Sequence, residues 1–106
     1  MVNRFDVFLI NLDDQLSKDP KNTRPAVIVS PDELNRNVES VIIAPLATTN
    51  AIYPTRVPVN FLNAPRYVVL DQIRSVDKAR LVKKIGAVDE TAQKEIIERL
   101  AELFAM

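Results

Sequence analysis

The sequence predicts a mainly β fold with some α, a small barrel or rolled sheet of short strands capped by one C-terminal helix. Three observations carry this expectation. Apolar, β-branched runs of four to eight residues recur between turn signals over residues 5–88; such runs read as strands. Only the stretch after Asp89 keeps a helical period. At 106 residues, with 47% hydrophobic and 26% charged residues, the chain has the composition of a folded unit, and it reads as one domain over residues 1–106.

The elements follow in order. Phe5 to Leu12 (FDVFLINL) predicts the first strand, and the polar run Asp13 to Arg24 an exposed loop ahead of Pro25. Ala26 to Ser30 (AVIVS) and Ser40 to Leu46 (SVIIAPL) are short and apolar throughout, the pattern of strands buried on both faces. Pro31 to Asn37 between them predicts a turn or one helical turn. Pro45 cannot donate to a ladder and is expected to end its strand or lie at an edge, leaving Ala47 to Asn50 as a loop. Thr55 to Phe61 predicts a strand, Asn63-Ala64-Pro65 a turn and Tyr67 to Leu70 the returning strand. Asp77 to Arg80 predicts a brief helical turn and Leu81 to Val88 an edge strand. In the tail Asp89 is the expected N-cap, and Ala92, Ile96, Ile97, Leu100, Ala101 and Phe104 form one core-facing stripe.

Composition excludes several chemistries. With no Cys and no His, the chain has no disulfide, thiolate or imidazole metal ligand, and no serine-protease triad or histidine-pair nuclease site. Gly86 is the only glycine, so neither a Walker loop nor a G-x-G-x-x-G turn exists. The longest apolar stretch, Val41 to Ala47, is far shorter than the ~20 residues that cross a bilayer, and the N-terminus lacks an apolar signal core; a cytoplasmic protein without membrane contact is expected. Zero net charge conceals a polarity: residues 1–88 hold 12 basic and 9 acidic side chains, residues 89–106 hold 2 and 5. Between Ser40 and Leu70 the only charged residues are Arg56 and Arg66, which suits either a polyanion-binding surface or ordinary solvated arginines.

One hydrolytic chemistry needs neither metal nor imidazole. In RNA the ribose 2′-hydroxyl is itself the nucleophile, so a protein has only to move protons and stabilise phosphorane charge, work within reach of carboxylates, arginines and hydroxyls. Three strand-end segments carry such groups. Arg24 precedes Pro25, which biases it to an extended backbone. Thr48 and Thr49 follow SVIIAPL, and Asp71, Gln72 and Arg74 follow YVVL with an alternation that sends Gln72 and Arg74 one way and Asp71 the other. Taken singly, these residues are equally a surface arginine, local backbone hydrogen-bonders and a surface ion pair.

Their order along the chain is more specific. NRFDVFLINLD, TRPAVIVSPDELNR, VIIAPLATT, YPTRV and VLDQIRSVDKARL together resemble the MazF/PemK (Kid) family of toxin endoribonucleases, from Arg4 to the terminal helix. The resemblance implies an SH3-like barrel of the CcdB/MazF type with a C-terminal helix and a homodimer. It implies sequence-selective cleavage of single-stranded RNA, without metal or cofactor, to 2′,3′-cyclic phosphate and 5′-hydroxyl ends. It also implies a cognate antitoxin, whose tail blocks the RNA groove and through whose complex operator DNA is bound. Carried onto this chain, Arg24 matches the catalytic arginine, stabilising phosphate charge, and Asp71 the carboxylate acting as general base. The usual catalytic threonine position is Ala47, so the hydroxyl falls to Thr48. Gln72, Arg74, Asn35, Arg36, Arg56 and Arg66 are candidates for RNA contacts, and Tyr53 for base stacking. Ala47 equally suits a weakened or inactive member that only binds antitoxin and regulates transcription. A CcdB-like gyrase poison fits less well, since that type relies on a terminal tryptophan and this chain has no Trp.

Overall fold

Strict alternation along the strands sorts their apolar residues onto two faces, and two cores result. The computed structural model describes residues 2–11, 23–48 and 55–105. Strands β1 (Asp6–Asn11), β2 (Thr23–Ile28), β3 (Ser40–Ala47), β4 (Arg56–Phe61), β5 (Ala64–Val69), β6 (Arg74–Asp77) and β7 (Leu81–Ala87) form an antiparallel sheet in the order β4-β5-β3-β2-β1-β7, with β6 also on β3. A short helix α1 (Asp32–Asn37) joins β2 to β3, and α2 (Glu90–Phe104) closes the chain.

The sheet curls into a half-barrel. On one face Ile10, Ala26, Ile28, Val41, Ile43 and Val76 pack together with Phe8 and Leu81, so β6 and β7 both close on the same cluster. On the other face Val7, Val27, Ala44 and Leu46 pack against the β4–β5 hairpin and against Ala92 and Ile96 of α2, in the larger of the two cores. Both apolar runs, AVIVS and SVIIAPL, therefore bury both their faces, as their composition predicts. Asp89 caps α2 by accepting from the Ala92 amide at 2.9 Å.

Several boundaries differ from expectation, each for a local reason. Strand β2 starts at Thr23, because Asn11↔Thr23 and Ile10↔Arg24 continue the β1 ladder through residues expected to be loop. Pro45 lies inside β3, opposite Ala26. Val29 donates to the Ile42 carbonyl, so hydrogen-bonded pairs fall at 29/42 and 27/44 and the Pro45 nitrogen points to the other edge of β3. On that edge β6 pairs residues 40–43 and β5 pairs residues 46–47, so no ladder partner faces the missing N–H. The hairpin turn is Leu62–Asn63, both with positive φ (53° and 60°), the type I′ geometry; Ala64 and Pro65 already belong to β5. Leu70 leaves the strand for a 3₁₀ turn, Leu70–Gln72. The helix stripe is buried only at its start: Ala92 and Ile96 are buried and Leu100 partly so, whereas Ile97, Ala101 and Phe104 are exposed.

Candidate active site

The C-terminal end of β3 is where strand register collects the predicted groups. Ala47 pairs with Tyr67 of β5, and Tyr67 with Pro58 of β4. On the other side the β2–β3 ladder ends at Ala26↔Pro45, and alternation along each strand puts Arg24 on the face of Ala26 and Ala47 on the face of Pro45. Directly opposed residues share a face, so Arg24, Ala47 and Tyr67 make a row on one face of β2, β3 and β5, with Ala47 and Tyr67 directly paired. Arg24 is exposed, and its Nη1 donates to the Thr23 carbonyl at 3.1 Å. Thr48, also exposed, is the next residue after β3.

Asp71 sits beside this row because the chain switches partners there. Between β5 and β6 the 3₁₀ turn Leu70–Gln72 projects from the β3 edge at the level of Pro45, leaving Asp71 and Gln72 exposed. The Thr55 hydroxyl donates to Asp71 Oδ1 at 3.0 Å, and the Leu70 amide donates to the Thr55 carbonyl at 2.9 Å. Arg24 and Asp71 form no ion pair; Arg24 lies on β2 and Asp71 in the turn between β5 and β6, on opposite sides of β3. The turn also removes the strand alternation expected for Asp71 and Gln72. Arg74 opens β6 opposite Ile43, exposed and on the same face as Arg24. Arg56 opens β4 next to Thr55, with Val69 as partner.

Other candidates lie elsewhere. Asn35 is not an exposed loop residue: it is 3% exposed, its Nδ2 donates to the Ser30 carbonyl at 3.0 Å and its Oδ1 accepts from the Ser30 hydroxyl, which itself accepts from the Ile42 amide. Arg36 bonds the Asp32 carbonyl on α1, at the start of β3. From Ser40 to Ala47 β3 runs roughly 23 Å at ~3.3 Å per residue, so Arg36 is at the far end from Arg24. Arg66 faces the larger core beside Val59, away from the Arg24 face. Tyr53 and Thr49 lie outside the described residues. Sequence reasoning missed Thr55 and Tyr67. A rule seeking strand-end hydroxyls on both sides of a turn would find Thr55; Tyr67 requires the register. Among the described residues no three acidic side chains gather as a metal site, and no described helix is long and apolar enough to cross a membrane.

A family model described as PemK-like, MazF-like toxin of type II toxin-antitoxin system matches residues 3–104. The chain belongs to this family. Similar solved structures agree. An endoribonuclease in complex with its cognate antitoxin from a Mycobacterial species shares 25% identity at TM-score 0.85, covering 100% of this chain and 97% of that one. An endoribonuclease from a Mycobacterial species shares 25% at TM-score 0.82, over 99% and 92%. For fold alone, a MazE-MazF structure from Deinococcus radiodurans shares 20% at TM-score 0.80, over 99% and 96%. The chain is thus a MazF-type toxin of the endoribonuclease family, and the antiparallel half-barrel with a C-terminal helix is that of MazF structures.

Proposed function

We propose that this MazF-type chain, as one toxin domain over residues 1–106, cleaves single-stranded RNA at the end of β3. The row Arg24–Ala47–Tyr67, with Asp71 in the adjoining turn, is the observation that carries the reading. Asp71 takes the proton of the ribose 2′-hydroxyl as that oxygen bonds phosphorus. Arg24 swings off the Thr23 carbonyl to hold the phosphorane oxygens with its fork of donors, and Thr48 adds a hydroxyl to the same charge. The bond from phosphorus to the 5′-oxygen breaks, that oxygen takes a proton from water, and a 2′,3′-cyclic phosphate and a 5′-hydroxyl remain. Tyr67 offers a ring beside the scissile group, and Gln72, Arg56 and Arg74 line the approach of the strand. None of these steps asks for a metal or cofactor.

The partners follow from the same membership. An antitoxin competes with RNA for the arginine-bearing face, and operator DNA is reached through that complex. Exposed Ile97 and Phe104 on α2 support a homodimer. The chain acts in the cytoplasm, where its RNA substrate is.

Incubating the chain with defined single-stranded RNAs in EDTA tests the reading. Cyclic-phosphate products are expected, with kcat/KM lowered about 10²–10³-fold in Arg24→Ala. Intact RNA, or cleavage undiminished in that variant, would sink it. Ala47 favours a second reading, a weakened enzyme that mainly binds antitoxin; intact RNA together with tight antitoxin binding would select it.

A further inference from the structure

We propose that Arg80 is a positioning residue for the cleavage reaction: by holding the Asn11 carbonyl it fixes the two-strand end that carries Arg24. The inference rests on the reading of Arg24 as the group that meets the phosphate. Arg80 ends the 3₁₀ turn Lys78–Arg80 between β6 and β7, and its Nη1 donates to the Asn11 carbonyl at 3.2 Å, across 69 residues of sequence.

The register explains why that carbonyl needs an outside donor. The Ile28 carbonyl accepts from the Phe5 amide, so the even-numbered residues of β2 turn their backbone groups to β1. Ile10 and Arg24 therefore exchange ladder hydrogen bonds, while Pro25, which has no N–H, falls on the wide pair with Leu9. Asn11↔Thr23 is the next wide pair, so the Asn11 carbonyl points away from β2, toward the β7 side. The β1–β7 ladder stops one residue earlier, at Ile10↔Leu81. Asn11 is 1% exposed, and a buried carbonyl beyond the end of a ladder is costly unless a donor meets it. The residue just before Leu81 supplies that donor from its side chain.

Arg80 is launched from a rigid turn. Asp77 accepts from the Ala79 amide at 2.8 Å, the Lys78 amide donates to the Glu39 carbonyl at 2.9 Å, and Leu81 packs beside Ile10 in the smaller core. At the other end of the contact lies everything that holds Arg24. Its backbone is laddered to Ile10, the neighbour of Asn11, and its guanidinium rests on the carbonyl of Thr23, the cross-strand partner of Asn11. Without the Arg80 donor this strand end loosens, and Arg24 meets the phosphate over a wider range of positions. Displacing a catalytic group by about 1 Å can cost about 10²-fold in rate, so a partial loosening costs less than removing the group.

Cleavage of a defined single-stranded RNA by the full chain tests the assignment. Arg80→Met is expected to lower kcat about tenfold with KM changed by less than about twofold. In an Arg24→Ala background the same change should have no effect, since the group it serves is gone. Should Arg80→Met fail to fold, Arg80→Lys, which keeps the charge and a single donor, is expected to show the same pattern at about threefold. Nitrogen-15 relaxation of the Arg24 Nε–H gives a readout that needs no cleavage: its order parameter should fall in either Arg80 variant. Equal fold losses in both backgrounds, or a rise in KM alone, would overturn the proposal by making Arg80 a direct RNA contact. An unchanged order parameter would overturn it outright. If the wild-type chain cleaves no RNA, the nuclease reading falls, and the relaxation measurement alone decides whether Arg80 holds Arg24.

Discussion

The Thr55 hydroxyl bonds Asp71 at 3.0 Å while the Leu70 amide bonds the Thr55 carbonyl at 2.9 Å, so two consecutive residues of the 3₁₀ turn are tied to the start of β4. Thr55 is thereby a positioning residue for the proposed base. Thr55→Val is expected to lower kcat severalfold with little change in KM, and Thr55→Ser to restore it. Asp71→Asn, which removes the base itself, should cost about 10²-fold or more. Steady-state cleavage of a fluorogenic RNA checks all three; a KM effect alone would point to substrate binding instead.

Position 47 lies between Arg24 and Tyr67 and carries a methyl group. Ala47→Thr is expected to raise the single-turnover cleavage rate about tenfold by adding a hydroxyl beside the guanidinium. Thr48→Ala alone should lower the wild-type rate, and its effect should shrink in the Ala47→Thr background. Equal effects in both backgrounds would show that the two hydroxyls do different work.

Asn35 and Ser30 form a buried polar pair with the Ile42 amide. Asn35→Ala leaves the Ser30 carbonyl without its donor, and a loss of about 1–3 kcal/mol in unfolding free energy is expected, measured by urea denaturation. RNA affinity, by contrast, should be unchanged. A selective loss of RNA affinity at full stability would return Asn35 to the binding surface.

Gly86 has φ +158°, and a Cβ there would stand 2.7–2.8 Å from the Phe61 ring. Gly86→Ala is expected to cost about 2 kcal/mol, lowering Tm by roughly 10 °C. Phe61→Leu gives the Cβ room, so the cost of Gly86→Ala should fall in that background; additive effects would locate the strain in the backbone instead.

Much of the fold was legible because strand burial is written into alternation and into short apolar runs. Val7, Val27 and Ala44 go to one core, Phe8, Ile28 and Ile43 to the other. What misled was the edge behaviour of single residues. Pro45 looked like a strand end because sequence shows a missing donor but not which edge of β3 it faces. The α2 stripe looked uniformly buried, yet Ala92, Ile96 and Leu100 alone carry the packing on the core, while Ile97, one position round from Ile96, and Phe104 face solvent. Of the proposed site, Arg24, Thr48 and Asp71 are the residues that strand ends and family order single out. Tyr67 could not, since its place in the row depends on a register between strands twenty residues apart in sequence.

Because Pro45 has no hydrogen to offer, the gap between β6 and β5 along β3 cannot be zipped shut by one continuous neighbour. Two strands must share that flank, and the chain joining them is forced outward as a tight knuckle. Asp71 and Gln72 ride on this knuckle. An imino ring inside a strand thus sits level with the place where an acid stands clear of the sheet.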